Sequence, residues 1–353
     1  MTRLNVLPLF ALFIVRVSLT AAAEVDLATW HAQPADATKT QVTGGIATIE
    51  HEKWGYLVSP TDYADLEFSA VVTIGAETKR KQFFGQSWSV WPDATWPDGG
   101  FEAGVLLRGV EADGKKQKSV GYRVQLSHAL QQVVLVKFPE GGYLRAVACP
   151  VKLNEPHRLQ VSMQGSELRV AVDGQERIVY RDPIAPLPPG RVGIGAANNS
   201  EVKFEQVQLR ELPPATGIAT PTPHEPNFAA RTWLGGRTWI FDGDEPILQL
   251  PSLKSTPVLN VKLRPGYKPQ LTWNSHWDIQ NQGAYAEGKN DTVDVQVSGG
   301  GTTIIARWRG EHVQKRFETH TTLTVGYDAA QDRYTYDVDS TLEVLPGEPF
   351  LFK

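Results

Sequence analysis

The sequence predicts an all-β protein of two units, a sandwich or jelly roll followed by a second β-rich unit. Three observations carry this reading. Short runs alternate apolar and polar residues with period two, Gly- and Asp-rich turns separate them, and no convincing amphipathic helix interrupts them. Between Leu212 and Phe228 the chain holds Pro213, Pro214, Pro221, Pro223 and Pro226 among Thr, Ala and Gly. Such a stretch is an extended, semi-rigid spacer. A length of 353 residues suits about two domains. The expected division is a leader over 1–23, a jelly-roll unit over 24–212, a Pro/Thr-rich linker over 213–228 and a second β-rich unit over 229–353.

The leader reads as an export signal. Arg3 supplies a positive start, Leu4–Leu19 is mostly apolar, and Ala21-Ala22-Ala23 offers a small-residue cleavage site before Glu24. Arg16 interrupts the apolar run, which argues against a membrane-spanning helix. The expectation is a secreted, periplasmic or cell-surface protein with no stable membrane span after cleavage. A net charge of −4 and a pI near 6.1 give no electrostatic case for nucleic acid. Cys149 is the single cysteine, so no intramolecular disulfide can form, and its place beside Pro150 suggests a buried structural thiol.

In the first unit, Leu66 and Phe68 share one side of an early strand. Two further strands, Phe101–Arg108 and Gly121–Leu126, are joined through a turn containing Asp113-Gly114. Alternation sends Ala103, Val105 and Leu107 with Tyr122, Val124 and Leu126 toward a core. It sends Glu102, Arg108, Arg123 and Gln125 to the opposite face, expected to be open. A polar ligand such as a sugar and a plainly solvated sheet both fit that face. Val133–Phe138 follows, then His157–Met163, which turns at Gly165-Ser166 into Leu168–Val172, with a second turn at Asp173-Gly174. Val192–Ala196 leads to Val202–Leu209, where the phase slips between Phe204 and Val207 as a bulge produces.

The second unit offers short strands at Trp239–Phe241, Ile247–Leu250, Val258–Leu263, Gln270–Trp273, Val293–Val297 and Thr302–Trp308. A longer pair, near His312–Tyr327 and Tyr334–Val344, reads as a hairpin across Asp328–Arg333. The apolar ending Phe350-Leu351-Phe352 leaves two readings, a complete sandwich or part of a larger one.

Several residue groups carry candidate chemistry. Trp88, Trp91 and Trp96 lie in a Pro- and Gly-rich stretch with Trp-Pro-Asp twice, which suits either stacking on sugar rings or packing against the sandwich. Hydrolysis of a glycoside by two carboxylates needs them about 5–9 Å apart. Glu102 with Glu67 or Asp65 could supply the pair, although no compact acidic strand motif appears. Glu102 beside Arg108 could equally be an ion pair. Trp273 and His276 in one segment, and His312 near Trp308 in another, are residue types for acid–base work on a stacked sugar. Asp242-Gly243-Asp244-Glu245 starts like a calcium loop but lacks the remaining ligands, so a solvated acidic turn is the expected reading, no cofactor is expected, and calcium stands as an unsupported alternative.

Ala103–Arg108, Gly121–Leu126, Pro156–Leu159, Val170–Gly174, Gly190–Gly193 and Val202–Glu205 together resemble the 3-keto-disaccharide hydrolase domain over residues 45–212. The resemblance implies a concanavalin A-like jelly roll, related to laminin G-type and lectin-like domains. It carries over Arg108, Tyr122 and Gln125. Where family members have Asn-Ser-Gly, this chain has Phe101-Glu102-Ala103-Gly104. The second unit looks like a β-sandwich found beside such modules in secreted bacterial carbohydrate-degrading proteins. In the enzymatic reading, a 3-keto group acidifies the neighbouring C–H, Glu102 is the base, Arg108 the oxyanion partner, and Tyr122 and Gln125 position the sugar. A lectin-like module without catalysis and a cell-surface structural protein are the other readings.

Overall fold

The structure is a computed structural model describing residues 23–35, 38–51, 54–75, 102–110, 120–128, 130–138, 142–184, 186–197, 200–215, 224–233, 237–250, 258–269, 271–274, 289–312, 317–344 and 346. The first unit contains β1 (Ala23–Glu24), β2 (His31–Gln33), β3 (Lys39–Thr43), β4 (Ile46–His51) and β5 (Trp54–Tyr63). It continues with β6 (Leu66–Ile74), β7 (Glu102–Val110), β8 (Val120–Ser127), β9 (Gln132–Phe138) and β10 (Gly142–Ala148). β11 (Pro156–Gln164), β12 (Glu167–Val172), β13 (Gln175–Arg181), β14 (Gly190–Ala197) and β15 (Ser200–Glu211) complete it. The second unit contains β16 (Phe228–Trp233), β17 (Arg237–Asp242), β18 (Glu245–Gln249), β19 (Val258–Val261) and β20 (Leu271–Asn274). It ends with β21 (Lys289–Ser298), β22 (Thr303–His312), β23 (Phe317–Asp328) and β24 (Arg333–Val344). Among the described residues no helix is long and apolar enough to cross a membrane.

Among the described residues every strand pair is antiparallel. One sheet of the first unit runs β13-β12-β11-β6-β15-β4-β3, with β1 added beside β15, and the facing sheet runs β10-β9-β8-β7-β14-β5-β2. Consecutive strands β4, β5, β6 and β7 switch sheets at every step, which makes a jelly-roll sandwich rather than two stacked meanders. The alternation does the sorting. β6 is buried at every second residue from Leu66 to Ile74, and these meet Val105, Val124, Leu135 and Ile194 of the other sheet in one core. The turn between β12 and β13 places Asp173 and Gly174 at φ 52° and 75°, the left-handed pair that suits a tight hairpin. The bulge expected in the last strand is present as a register shift between Glu205 and Gln208.

The second unit is a sandwich of a five-stranded sheet, β16 to β20, and a four-stranded sheet, β21 to β24. Both run in sequence order. Ile240, Leu248 and Val261 from one sheet pack with Ile304, Trp308 and Leu323 from the other. The expected long hairpin is β23 with β24, in register from Phe317↔Val344 to Asp328↔Arg333.

The sheet face expected to be open is partly covered, with Trp54, Tyr56 and Arg123 half-buried. Glu102 and Gln125 on that face are 3% and 5% exposed. Toward β9 and β10 it is covered by the second unit, where Trp233, Trp239 and Phe241 pack on Val134, Val136 and Ala146. The second unit also grips edge strand β10 directly. Ala146 N–H donates to Asp244 O at 2.9 Å, Arg145 pairs with Glu245 at 3.2 Å, and Lys262 Nζ donates to Tyr143 O. An edge strand with unpaired backbone groups thereby gains partners.

Candidate functional site

The outward face of the seven-stranded sheet gathers a continuous polar and aromatic patch. Trp54 and Tyr56, two apart on β5, point the same way and stack with ring centroids 5.8 Å apart and planes 15° from parallel. Glycines on β14, beside β5, and on β7, one strand further, let these rings lie close to the sheet. A Cβ at Gly104 would sit 2.8 Å from the Trp54 ring, and one at Gly195 would sit 2.5 Å from the Tyr56 ring. From β8 the Arg123 guanidinium lies 4.2 Å from the Trp54 centroid and 4.8 Å from the Phe138 centroid. A flat, always-charged group between two aromatic faces is the arrangement arginine favours. Its Nη1 donates to the Tyr56 hydroxyl at 3.5 Å.

Glu102 stands at the start of β7, opposite Ser127 on β8 and Ala197 on β14. Its backbone N–H donates to Ser200 Oγ at 2.9 Å, and its carboxylate accepts from Gln125 Nε2 at 3.3 Å. Burial pushes its carboxyl up to about 7, against the opposing pull of Arg123 and a hydrogen bond from Ser127. A carboxyl titrating there can take or give a proton near neutral pH. Two polar atoms of the patch have no hydrogen-bond partner, Arg123 Nε and Gln125 Oε1. A buried polar group left so wants a ligand or water.

The other expected site residues separate from this patch. Arg108 was expected on the same face as Glu102, but β7 and β8 shift register between Leu107 and Val110, and Arg108 adopts φ 49°. The bulge turns its guanidinium to Ala64 O, Leu187 O, Gly165 O and Asp65, so it clamps loops and does not face Glu102. Tyr122 lies between the sheets, where its hydroxyl donates to Asp182, which also binds Lys137 at 2.7 Å. It is on the wrong side of the sheet to touch a ligand beside Gln125. Asp65 and Glu67 are held by Arg108 and Arg210, and neither flanks Glu102. Trp273 is in β20 of the five-stranded sheet and His312 ends β22 of the four-stranded one. Trp88, Trp91, Trp96 and His276 lie outside the described residues.

Each carboxylate of the Asp242–Glu245 turn has a protein partner. Asp242 binds His224 at 2.5 Å, Tyr334 at 3.0 Å and Asn227 N–H at 2.8 Å. Asp244 binds Arg231, and Glu245 binds Lys262 and Arg145. The turn is a structural junction and not the start of a calcium loop. Glu318, His320 and Glu343 on β23 and β24 bring ligand atoms within 4.8 Å of one another. Arg309 bonds Glu318, and His320 Nε2 lies 3.6 Å from the same carboxylate.

Of the residues the structure gathers in this patch, the sequence had pointed to Glu102, Arg123 and Gln125 but not to Trp54 and Tyr56. The available signal was Trp54-Gly55-Tyr56, with alternate aromatics, facing the Gly193–Gly195 spacing of the partner strand.

No family model matches the chain, and neither does any curated protein. Among solved structures, a carbohydrate-binding module from Bacillus subtilis is 14% identical, with a TM-score of 0.39 over 52% of this chain and 96% of that one. A galectin-like protein of unknown function from Bacillus subtilis is 11% identical, with a TM-score of 0.38 over 54% of this chain and 92% of that one. A Bacillus licheniformis β-glucanase is 9% identical, with a TM-score of 0.34 over 51% and 84%. Scores this low carry no weight, and the architecture rests on strand order and register.

Proposed function

We propose that this chain is an exported carbohydrate-active protein that takes a saccharide at the outward face of its seven-stranded sheet and cleaves a glycosidic bond there. The observation that supports this is one carboxyl pushed up to about 7 beside a Trp54–Arg123–Tyr56 stack. Aromatic faces suit the apolar C–H faces of a pyranose, and Arg123 suits its oxygens. The two acids expected as its partners are engaged elsewhere, Asp65 with Arg108 and Glu67 with Arg210. That disfavours hydrolysis by two paired acids, which need a partner about 5–9.5 Å away.

One base is sufficient for a sugar oxidised at C3, as the resemblance to 3-keto-disaccharide hydrolases implies. The keto group acidifies the neighbouring C–H. Glu102 takes that proton, the electron pair forms a C=C bond, and the glycosidic C–O bond breaks. The departing oxygen collects the proton from Glu102, and water then adds across the double bond. In this reading Arg123, which acts on Glu102, takes the oxyanion role in place of Arg108, whose guanidinium is bonded elsewhere. The Trp54–Tyr56 stack with Arg123 over it also suits a second reading, a lectin-like module that binds without turnover.

The test is purified protein incubated with sucrose, trehalose, cellobiose and lactose, each plain and 3-keto, with chromatographic detection of monosaccharides. Release confined to the 3-keto sugars supports the hydrolase. Quenching of Trp fluorescence without release selects the binding module. Silence in both assays rejects a carbohydrate role.

A further inference from the structure

Alternation places a lysine where the core of the jelly roll otherwise takes apolar residues. On β9, Lys137 is in phase with Val133 and Leu135, which lie in the core between the sheets, and its side chain is 0% exposed. On β13, in the facing sheet, Ile178 and Tyr180 point into the same core. Asp182, next in that phase just past the strand, has a side chain 1% exposed. Lys137 Nζ meets Asp182 Oδ2 at 2.7 Å. Tyr122, paired with Lys137 across β8 and β9, donates its hydroxyl to the same oxygen. The other oxygen, Oδ1, accepts the Ile184 N–H at 2.9 Å, and the Asp182 N–H is fixed on Ser166 O at 2.9 Å.

This cluster has the parts of a condensation as well as of an ion pair. Taking two charges out of water is costly, and an uncharged product removes that cost. A lysine amine shielded from water is a nucleophile. The Ile184 N–H at Oδ1 stands where negative charge develops when the carboxyl carbon is attacked. Burial, and then the Asp182 carboxylate, push the Tyr122 hydroxyl far up, so it stays protonated beside Oδ2. Cys149 is the single cysteine, so no disulfide can join the two sheets.

We propose that Lys137 and Asp182 form an intramolecular amide bond, a covalent cross-link between the facing sheets of the jelly roll. The ammonium gives a proton to Oδ2, the freed lone pair on Nζ attacks Cγ, and charge gathers on Oδ1 against the Ile184 N–H. The Cγ–Oδ2 bond then breaks. Oδ2 leaves as water with two protons from the nitrogen, the second passed through the Tyr122 hydroxyl, which ends protonated as it began. One ammonium and one carboxylate become one amide and one water, and no outside reactant is needed. The bond joins residues 45 positions apart, and it restricts the unfolded chain as a disulfide does. It is independent of the carbohydrate reading.

Mass spectrometry of the denatured full chain tests this. Wild type is expected about 18 Da, one water, below the mass of its sequence, with Lys137→Arg and Asp182→Ala at the full mass of theirs. Comparison with the variants cancels any processing of the leader. Trypsin should leave the wild-type chain uncut after Lys137, and fragment spectra should show one branched peptide joining 137 to 182. Tyr122→Phe keeps the ring and the ion pair, and should slow linking about a hundredfold, read as linked fraction against time after synthesis. Unslowed linking in Tyr122→Phe overturns the part given to the phenol. Wild type at full mass and cut after Lys137 overturns the proposal, as does a loss of water that persists in Lys137→Arg. The wild-type peptide map decides by itself where a variant fails to fold.

Discussion

Glu245→Ala should be among the most damaging single substitutions in the second unit, although the residue is far from Glu102 in sequence. Glu245 is 4% exposed and receives three donors, Lys262 Nζ at 2.8 Å, Gly266 N–H at 2.7 Å and Arg145 at 3.2 Å. Lys262 is 1% exposed, and burial already lowers its pKa despite Glu245. Removing the carboxylate leaves a buried ammonium with only the Tyr143 carbonyl, which costs about 3–5 kcal/mol. That is roughly a hundredfold to a few thousandfold in the ratio of folded to unfolded protein. Lys262→Met leaves Glu245 with Arg145 and Gly266 and should cost less. Replacing both charges by apolar residues is often close to neutral, so Glu245→Ala with Lys262→Met should recover most of the loss. Urea unfolding followed by Trp fluorescence measures all three. A Glu245→Ala protein within about 0.5 kcal/mol of wild type, or a double variant as damaged as the sum of the singles, would refute the reasoning.

Further outcomes follow from the same contacts. Because burial raises Glu102 from 4.5 to about 7, the folded state binds more protons than the unfolded state between those values. Stability should fall as pH rises through that window, by up to about 3 kcal/mol, and Glu102→Gln should abolish the fall. Equal pH dependence in the two proteins, seen by thermal unfolding, would count against it. Arg108→Ala strips a buried cation from Asp65 and three carbonyls, so it should cost about 3–5 kcal/mol in urea unfolding while leaving sugar binding per folded molecule unchanged. Loss of binding without loss of stability would restore Arg108 to the site. Asp242 raises the pKa of His224, so their contact contributes fully below about pH 6.5 and is lost as pH rises through the raised value. His224→Gln should flatten that part of the stability profile, and an unchanged slope would show that the contact contributes nothing.

Alternation alone revealed most of the strands, because one face of each is buried and the other polar. Leu66–Ile74 and His157–Met163 are clear cases, and the bulge near Gln206 showed as a break in phase. The same logic failed at Arg108. A bulge after Leu107 inverts the side-chain direction, and neither Gly109 nor the residues around it announced that the strand was irregular there. Tyr122 was placed correctly in the core by its alternation, and only the family resemblance suggested a ligand contact. The partial cover of the sheet face was not legible, because it depends on the second unit packing over β9 and β10. Nothing local in Val134 or Val136 distinguishes a strand buried on one face from a strand buried on both, except their continuous apolar run. Trp54 and Tyr56 were passed over because their role depends on glycines of other strands, a contact set by tertiary packing.

The most direct test of the central claim measures binding and turnover separately in Glu102→Gln. The substitution keeps the size of the side chain and removes the base. With a 3-keto disaccharide, the account predicts a loss of turnover of at least about a hundredfold, with dissociation constants within a few-fold of wild type. Undiminished turnover in Glu102→Gln would contradict it and place the chemistry away from this sheet face.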